Sequence, residues 1–182
     1  NTKLGENKSI VFAGVMTPPF YGGLTNNIKY KDFELSFMFI YNMGHKMFNS
    51  SPNFSGRLSR NIDKDFDKRW RKVGDDTNIP SYAANTAQEI RRNTGFYSNG
   101  DINVLSASYV KLRDLSIAYS LPSNICNKLY TDKIRVKFQV SNLLTFTANK
   151  KGIDPEAHKL DSGTRFNKYG PSYSIGLTVN FK

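Results

Sequence analysis

Four stretches of this chain alternate apolar and polar residues with a period of two, and nothing else in the sequence constrains its fold as tightly. Phe33, Leu35, Phe37, Phe39 and Tyr41 share one face, with Glu34 and Ser36 on the other. Leu115, Ile117, Tyr119 and Leu121 alternate with Ser116, Ala118 and Ser120, and Ile134, Val136, Phe138 and Val140 with Arg135, Lys137, Gln139 and Ser141. Tyr173, Ile175, Leu177, Val179 and Phe181 alternate with Ser174, Gly176, Thr178 and Asn180. Successive side chains of a strand point to opposite faces, so each run makes a strand with one greasy and one polar side. Thirteen Phe and ten Tyr, residues that favour pleated surfaces, point the same way. These runs predict strands over about 28–41, 109–121, 134–146 and 173–181, with a weaker one over about 9–16.

Alternation alone does not separate a half-buried soluble sheet from a membrane barrel, whose apolar alternates face lipid and polar alternates face the lumen. A spanning helix is excluded, because it needs about 20 apolar residues in a row. The longest greasy stretch here is only Phe37-Met38-Phe39-Ile40-Tyr41. The connections carry the distinction. Short links, Pro18–Gly23 and Leu121 to about Asp132, alternate with long ones, about 42–108 and 149–171. A barrel with tight periplasmic turns and large extracellular loops has this asymmetry. On that reading the last strand descends from outside, and both long loops are extracellular. Five strands cannot close a barrel around a pore, so the remaining strands must come from elsewhere. The first residues, Asn1-Thr2-Lys3-Leu4-Gly5-Glu6, hold no apolar leader, and for an exported protein the native start is expected upstream.

A formal charge of +11 raises the possibility of nucleic acid. The densest basic cluster, Lys68-Arg69-Trp70-Arg71-Lys72, follows Asp63, Asp65 and Asp67 and precedes Asp75-Asp76. Mixed charge of that kind is a solvated surface, and no nucleic-acid signature accompanies it, so no nucleic-acid partner is expected. The single cysteine, Cys126, can form no internal disulfide and reads as a small residue in a turn. Asp154-Pro155-Glu156 with His158 nearby reads as a loop turn, since a metal or acid–base site would need further converging ligands. His45 has no ligand-spaced partner, and Gly22-Gly23 reads as a turn. No catalytic triad or dyad survives inspection, so the chain is expected to be non-enzymatic and to need no cofactor.

Two places are candidates for contact with a solute. Arg135, Lys137, Gln139 and Ser141 face the lumen if the apolar alternates face lipid. They would touch a solute or a plug, or simply solvate and charge-pair the lumen. Trp70, flanked by cations in the largest loop, could stack on a sugar ring or a partner protein; alternatively it anchors a locally folded loop in which Gly74-Asp75 makes a turn.

Several segments, in order, resemble the SusC/RagA-type TonB-dependent transporters of Bacteroidetes. They are Pro19-Phe20-Tyr21-Gly22-Gly23-Leu24-Thr25-Asn26 with Tyr30-Lys31-Asp32-Phe33, then Arg69–Pro80, Ser108–Leu115, Tyr119-Ser120-Leu121-Pro122, Val140–Thr147, Gly152-Ile153-Asp154-Pro155-Glu156 and Tyr173–Phe181. Each is weak alone; the ordered set covers most of residues 18–182. One departure is Lys182, which follows the aromatic on which such barrels commonly end. The resemblance implies an outer-membrane barrel of about 22 strands filled by a plug, of which this chain supplies about the last five. It also implies a SusD-like lipoprotein cap, energy from TonB, and import of glycans or peptides. The reading from another class is a soluble β-sandwich that binds carbohydrate, which would bury its apolar faces against each other.

Overall fold

The computed structural model describes residues 10–49, 54, 64–84 and 87–181. Five long strands form one antiparallel sheet: β1 (Phe20–Tyr30), β2 (Phe33–Met43), β5 (Tyr109–Ser120), β6 (Thr131–Thr147) and β7 (Ser172–Phe181). Two short strands, β3 (Lys46–Phe48) and β4 (Val104–Ser106), pair in a separate ribbon. The spatial order of the large sheet is β1-β2-β5-β6-β7, so every strand lies beside its neighbour in the chain. The outer edges of β1 and β7 are unpaired among the described residues, and the sheet is open.

The registers keep each face uniform across all five strands. Ile28 lies opposite Leu35, Leu35 opposite Ile117, Ile117 opposite Phe138, and Phe138 opposite Ile175. The next apolar row runs Phe33, Tyr119, Val136 and Leu177. Polar rows interleave with these, such as Ser36, Ser116, Gln139 and Ser174. A slip of one residue would turn a whole strand inside out, so the alternation seen in sequence is also what sets the register. Towards the long loops the ladder is interrupted at Arg113, opposite Asn142 and Leu143, where β5 and β6 both shift register. Asn142 has φ 56° there, a left-handed conformation that asparagine tolerates better than most residues.

The start of the sheet differs from the sequence expectation. Residues 10–16 form no strand, Ser9 lies outside the described residues, and the supposed Pro/Gly link is the beginning of β1. The expected strand over 28–41 is a hairpin, with its turn at Lys31-Asp32 and Lys31 at φ 51°. β1 was hard to see because Gly22, Gly23, Asn26 and Asn27 are poor strand formers and break its apolar row. Gly22 is explained by its partner: a Cβ there would lie 2.7 Å from the Tyr41 hydroxyl, whose ring crosses the bare backbone. The short link after β5 holds a helix, α2 (Ser123–Lys128), and Cys126 is buried within it rather than in a turn. Lys182 lies outside the described residues.

The two long connections do not run separately. Met47, Ala107 and Ile153 form a small core, with Leu105 and Leu160 packed against it, so both loops contribute to one cap. The Phe48 amide donates to the Leu160 carbonyl at 2.7 Å, and the Arg165 guanidinium donates to the Asn49 side chain at 3.1 Å. A second cluster joins Phe54, Phe66, Tyr82 and Tyr97 within the larger loop, their rings 6.1–6.2 Å apart. Buried Asn93 ties it together by donating to the carbonyls of Phe54 and Ser81.

Candidate functional site

The two faces of the sheet offer opposite chemistry. On the apolar face Ile175 is 78% exposed and Leu177 65%, with Ile28, Phe33, Ile117 and Phe138 also open. Each such side chain left in water forgoes about 1.5–3 kcal/mol of burial, and among the described residues no second sheet covers them. The soluble sandwich required that second sheet, so the structure does not support it. Aromatic residues crowd both ends of this face: Tyr30, Phe33 and Tyr119 at the short turns, Phe20, Tyr41 and Phe146 at the long loops. From Phe33 to Tyr41 is eight steps of about 3.3 Å, which at a barrel tilt of about 35–45° rise about 20 Å, most of the apolar band of about 25 Å between the aromatic girdles of a membrane barrel.

The polar face is cross-linked by its own side chains. Arg135 donates to Glu34 at 2.7 Å, and Gln139 and Ser141 donate to Asp114 at 3.2 and 2.6 Å. Lys137 is exposed between Ala118 and Gly176, and it makes no ion pair among the described residues. Small neighbours on both sides leave its ammonium projecting from the face.

Where the polar face meets the cap there is a clamp. Lys111, 4% exposed, lies 3.3 Å from the Asp154 carboxylate and bonds the Glu156 carboxylate as well. Arg113 donates to Glu156 at 2.6 Å and to Asn142 at 3.0 Å, and the Tyr109 hydroxyl donates to Glu156 at 2.9 Å. The Asp154 side chain also accepts the Glu156 amide, capping the single turn Pro155–Ala157. The short turn aims both carboxylates at one strand.

The comparisons with known proteins agree with this geometry. No family profile matches the chain. It is 30% identical over 179 residues to TonB-dependent receptor P3 of Formosa agariphila, covering 92% of this chain and 17% of that protein. It is 27% identical to TonB-dependent receptor P39 of the same organism, covering 100% of this chain and 18% of that one. Its fold matches the RagAB peptide transporter with a TM-score of 0.71 at 26% identity, and the RagAB peptide importer in the open-open state with 0.67 at 25%. Each match covers 91% of this chain and under a fifth of the solved one. The chain is a barrel segment of the TonB-dependent receptors, of SusC/RagA type. It spans less than a fifth of the length of these relatives.

In this receptor segment the two motifs Ser108–Leu115 and Gly152–Glu156 are the two halves of the clamp. The sequence reading took Asp154 and Glu156 for turn formers and did not connect them with Lys111, Arg113 and Tyr109. The spacing of about 43 residues between the halves hides the link. A lysine and an arginine two apart near the start of β5 were the available signal. Burial pushes the Glu156 carboxyl upward, but bonds from Lys111 and Tyr109 and the charges of Lys111 and Arg113 outweigh it and leave the pKa lowered. Burial also lowers the pKa of His45, whose Nδ1 has no hydrogen-bond partner among the described residues.

Trp70 lies apart from the polar face. It is 40% exposed in the larger loop and lines a cleft of about 380 Å³ with Thr77, Ile79, Arg92 and Tyr97. Its amide donates to the Ile79 carbonyl at 2.9 Å, and the turn that follows is held by Asp75, which accepts the amides of Arg71 and Lys72. Those two bonds lower the Asp75 pKa. The structure therefore brings Arg135, Lys137 and Gln139 onto one face and leaves Trp70 in the cap.

Proposed function

We propose that the chain builds part of the wall and outer mouth of an outer-membrane active importer. The apolar face meets lipid, the polar face lines the solute path around a plug domain, and the two long loops form an extracellular cap. TonB supplies the energy, and a SusD-like surface lipoprotein closes over the mouth. The solute is a nutrient of glycan or peptide class, and the likeness to a peptide importer supports the peptide. The observation that carries this reading is the five-strand apolar face, which nothing among the described residues covers. Lys137, the projecting cation of the polar face, is the residue here best placed to meet a plug or an anionic solute group. Trp70 and its cleft face the partner lipoprotein or the solute from the cap.

The test is uptake in cells carrying the full-length receptor. Labelled oligopeptides should accumulate in wild type and should fail to do so when either the receptor or TonB is deleted. Uptake that persists without TonB would end the importer reading; uptake of oligosaccharides alone would move the substrate to the glycan class.

A further inference from the structure

The apolar face carries one concave feature at its long-loop end. Met43, Val110 and Phe146 form its sides, and Ser108, Thr147 and Ala148 close it where the strands give way to the cap. The groove holds about 380 Å³. Its ceiling is stitched by hydrogen bonds, from the Ala148 amide to the Ser108 carbonyl and from the Gly44 amide to the Ser108 hydroxyl, both at 2.9 Å. The groove is therefore a shallow, open recess whose upper end is fixed by the backbone. It is continuous with the lipid-facing wall, at the level where that wall ends in Tyr41 and Phe146.

Immediately past Ala148 the chain turns through Asn149 and presents Lys150 and Lys151 to solvent. Neither makes an ion pair among the described residues, and no acidic residue occurs between Leu143 and Ile153. An apolar recess with two uncompensated cations two and three residues beyond its edge at Ala148 has the complement of one ligand chemistry, an acyl chain below a phosphorylated headgroup. Juxtamembrane cations gain about 1 kcal/mol each near an anionic surface, and each buried methylene adds about 0.8 kcal/mol.

We propose that this groove seats an acyl chain of a phosphorylated outer-leaflet glycolipid of the lipid A type, with Lys150 and Lys151 on its phosphate. The assignment rests on the proposed outward orientation of the long loops, which brings the groove to the outer leaflet. The seat would fix the rim against the membrane beside the β5–β6 register shift.

The experiment uses the full-length receptor, purified with its native partners in mild detergent, and counts bound lipid by native mass spectrometry. Wild type should retain lipid A. The pair Lys150→Glu with Lys151→Glu should lower that occupancy at least several-fold, and Val110→Trp, which fills the groove, should do the same. A heat-modifiable electrophoretic band shows that each variant has folded. Unchanged occupancy in the charge-reversed receptor would overturn the proposal, as would a groove filled by neutral phospholipid or by the acyl anchor of a lipoprotein. In parallel, Lys151→Cys is labelled on intact cells with a membrane-impermeant maleimide. Absence of labelling would remove the orientation and the lipid seat together. Labelling with unchanged lipid occupancy would remove the lipid seat alone.

Discussion

The wall and the cap of this receptor segment are held by different means. In the wall, β1, β2, β5, β6 and β7 satisfy their backbones by pairing with neighbours, while many apolar side chains of one face, such as Ile28, Ile117, Phe138, Ile175 and Leu177, remain uncovered among the described residues. The cap has little regular structure and instead closes on its own small core, Met47, Ala107 and Ile153, and on the ion cluster at Lys111. The wall thus needs its solvent to be lipid, and the cap needs its polar groups to be matched one by one. Substitutions should separate the two, because a charge that ruins one can be harmless in the other.

The largest effect is expected at the junction. Lys111→Met leaves the Asp154 carboxylate buried without its cation, a loss of about 3–5 kcal/mol. It should appear as faster proteolysis and hydrogen exchange of residues 149–171, with the barrel itself still heat-modifiable. Next comes the middle of the wall. Phe138→Arg, near the bilayer midplane, should cost about 2–4 kcal/mol in reversible unfolding from liposomes, whereas Ser116→Arg on the opposite face should cost little. Equal losses at both positions would erase the distinction between the faces. Within the cap, Asn93→Ala frees the carbonyls of Phe54 and Ser81 and should cost about 1–3 kcal/mol, read as local exchange around Phe54 and Tyr97. The smallest effect is expected at Glu34→Gln, whose partner Arg135 is half-exposed; such pairs contribute about 0–1 kcal/mol.

Acid should also separate cap from wall. The folded Glu156 pKa lies below its ordinary value of 4.5, so its contribution is complete above that pH and is lost as pH falls through the lower, folded value. His45 acts in the same direction: its pKa lies below 6.5, so its neutral form is favoured and stability declines as falling pH protonates it. A proteolysis series from pH 7 downward should release the cap while the strands keep their circular dichroism.

How far each region was legible follows from the same contrast. The wall answers to one rule, alternation; β5, β6 and β7 stood in the sequence within about three residues of their ends, and β2 was seen by its alternation but started five residues early, across the hairpin turn. β1 did not show, because Gly22 and Gly23 replace side chains that Tyr41 and the β2 backbone displace, and that reason is visible only once the strands are paired. The cap answers to long-range contacts with no local period. Asp154 and Glu156 were noticed, but their partners lie on another strand. Trp70 was singled out for its flanking cations in the largest loop, and the cleft beside Arg92 and Tyr97 emerges only from the folded loop.

The most direct test of the central claim, that one face meets lipid and the other the lumen, is a quenching scan along β6. Single-cysteine variants at 136 to 140 of the full-length receptor, made with Cys126→Ser, would carry a fluorophore in liposomes. Probes at 136, 138 and 140 should be quenched by lipid-borne nitroxide and shielded from a water-soluble quencher, with 137 and 139 behaving oppositely. Uniform quenching along the strand, or alternation in the reverse phase, would contradict the account.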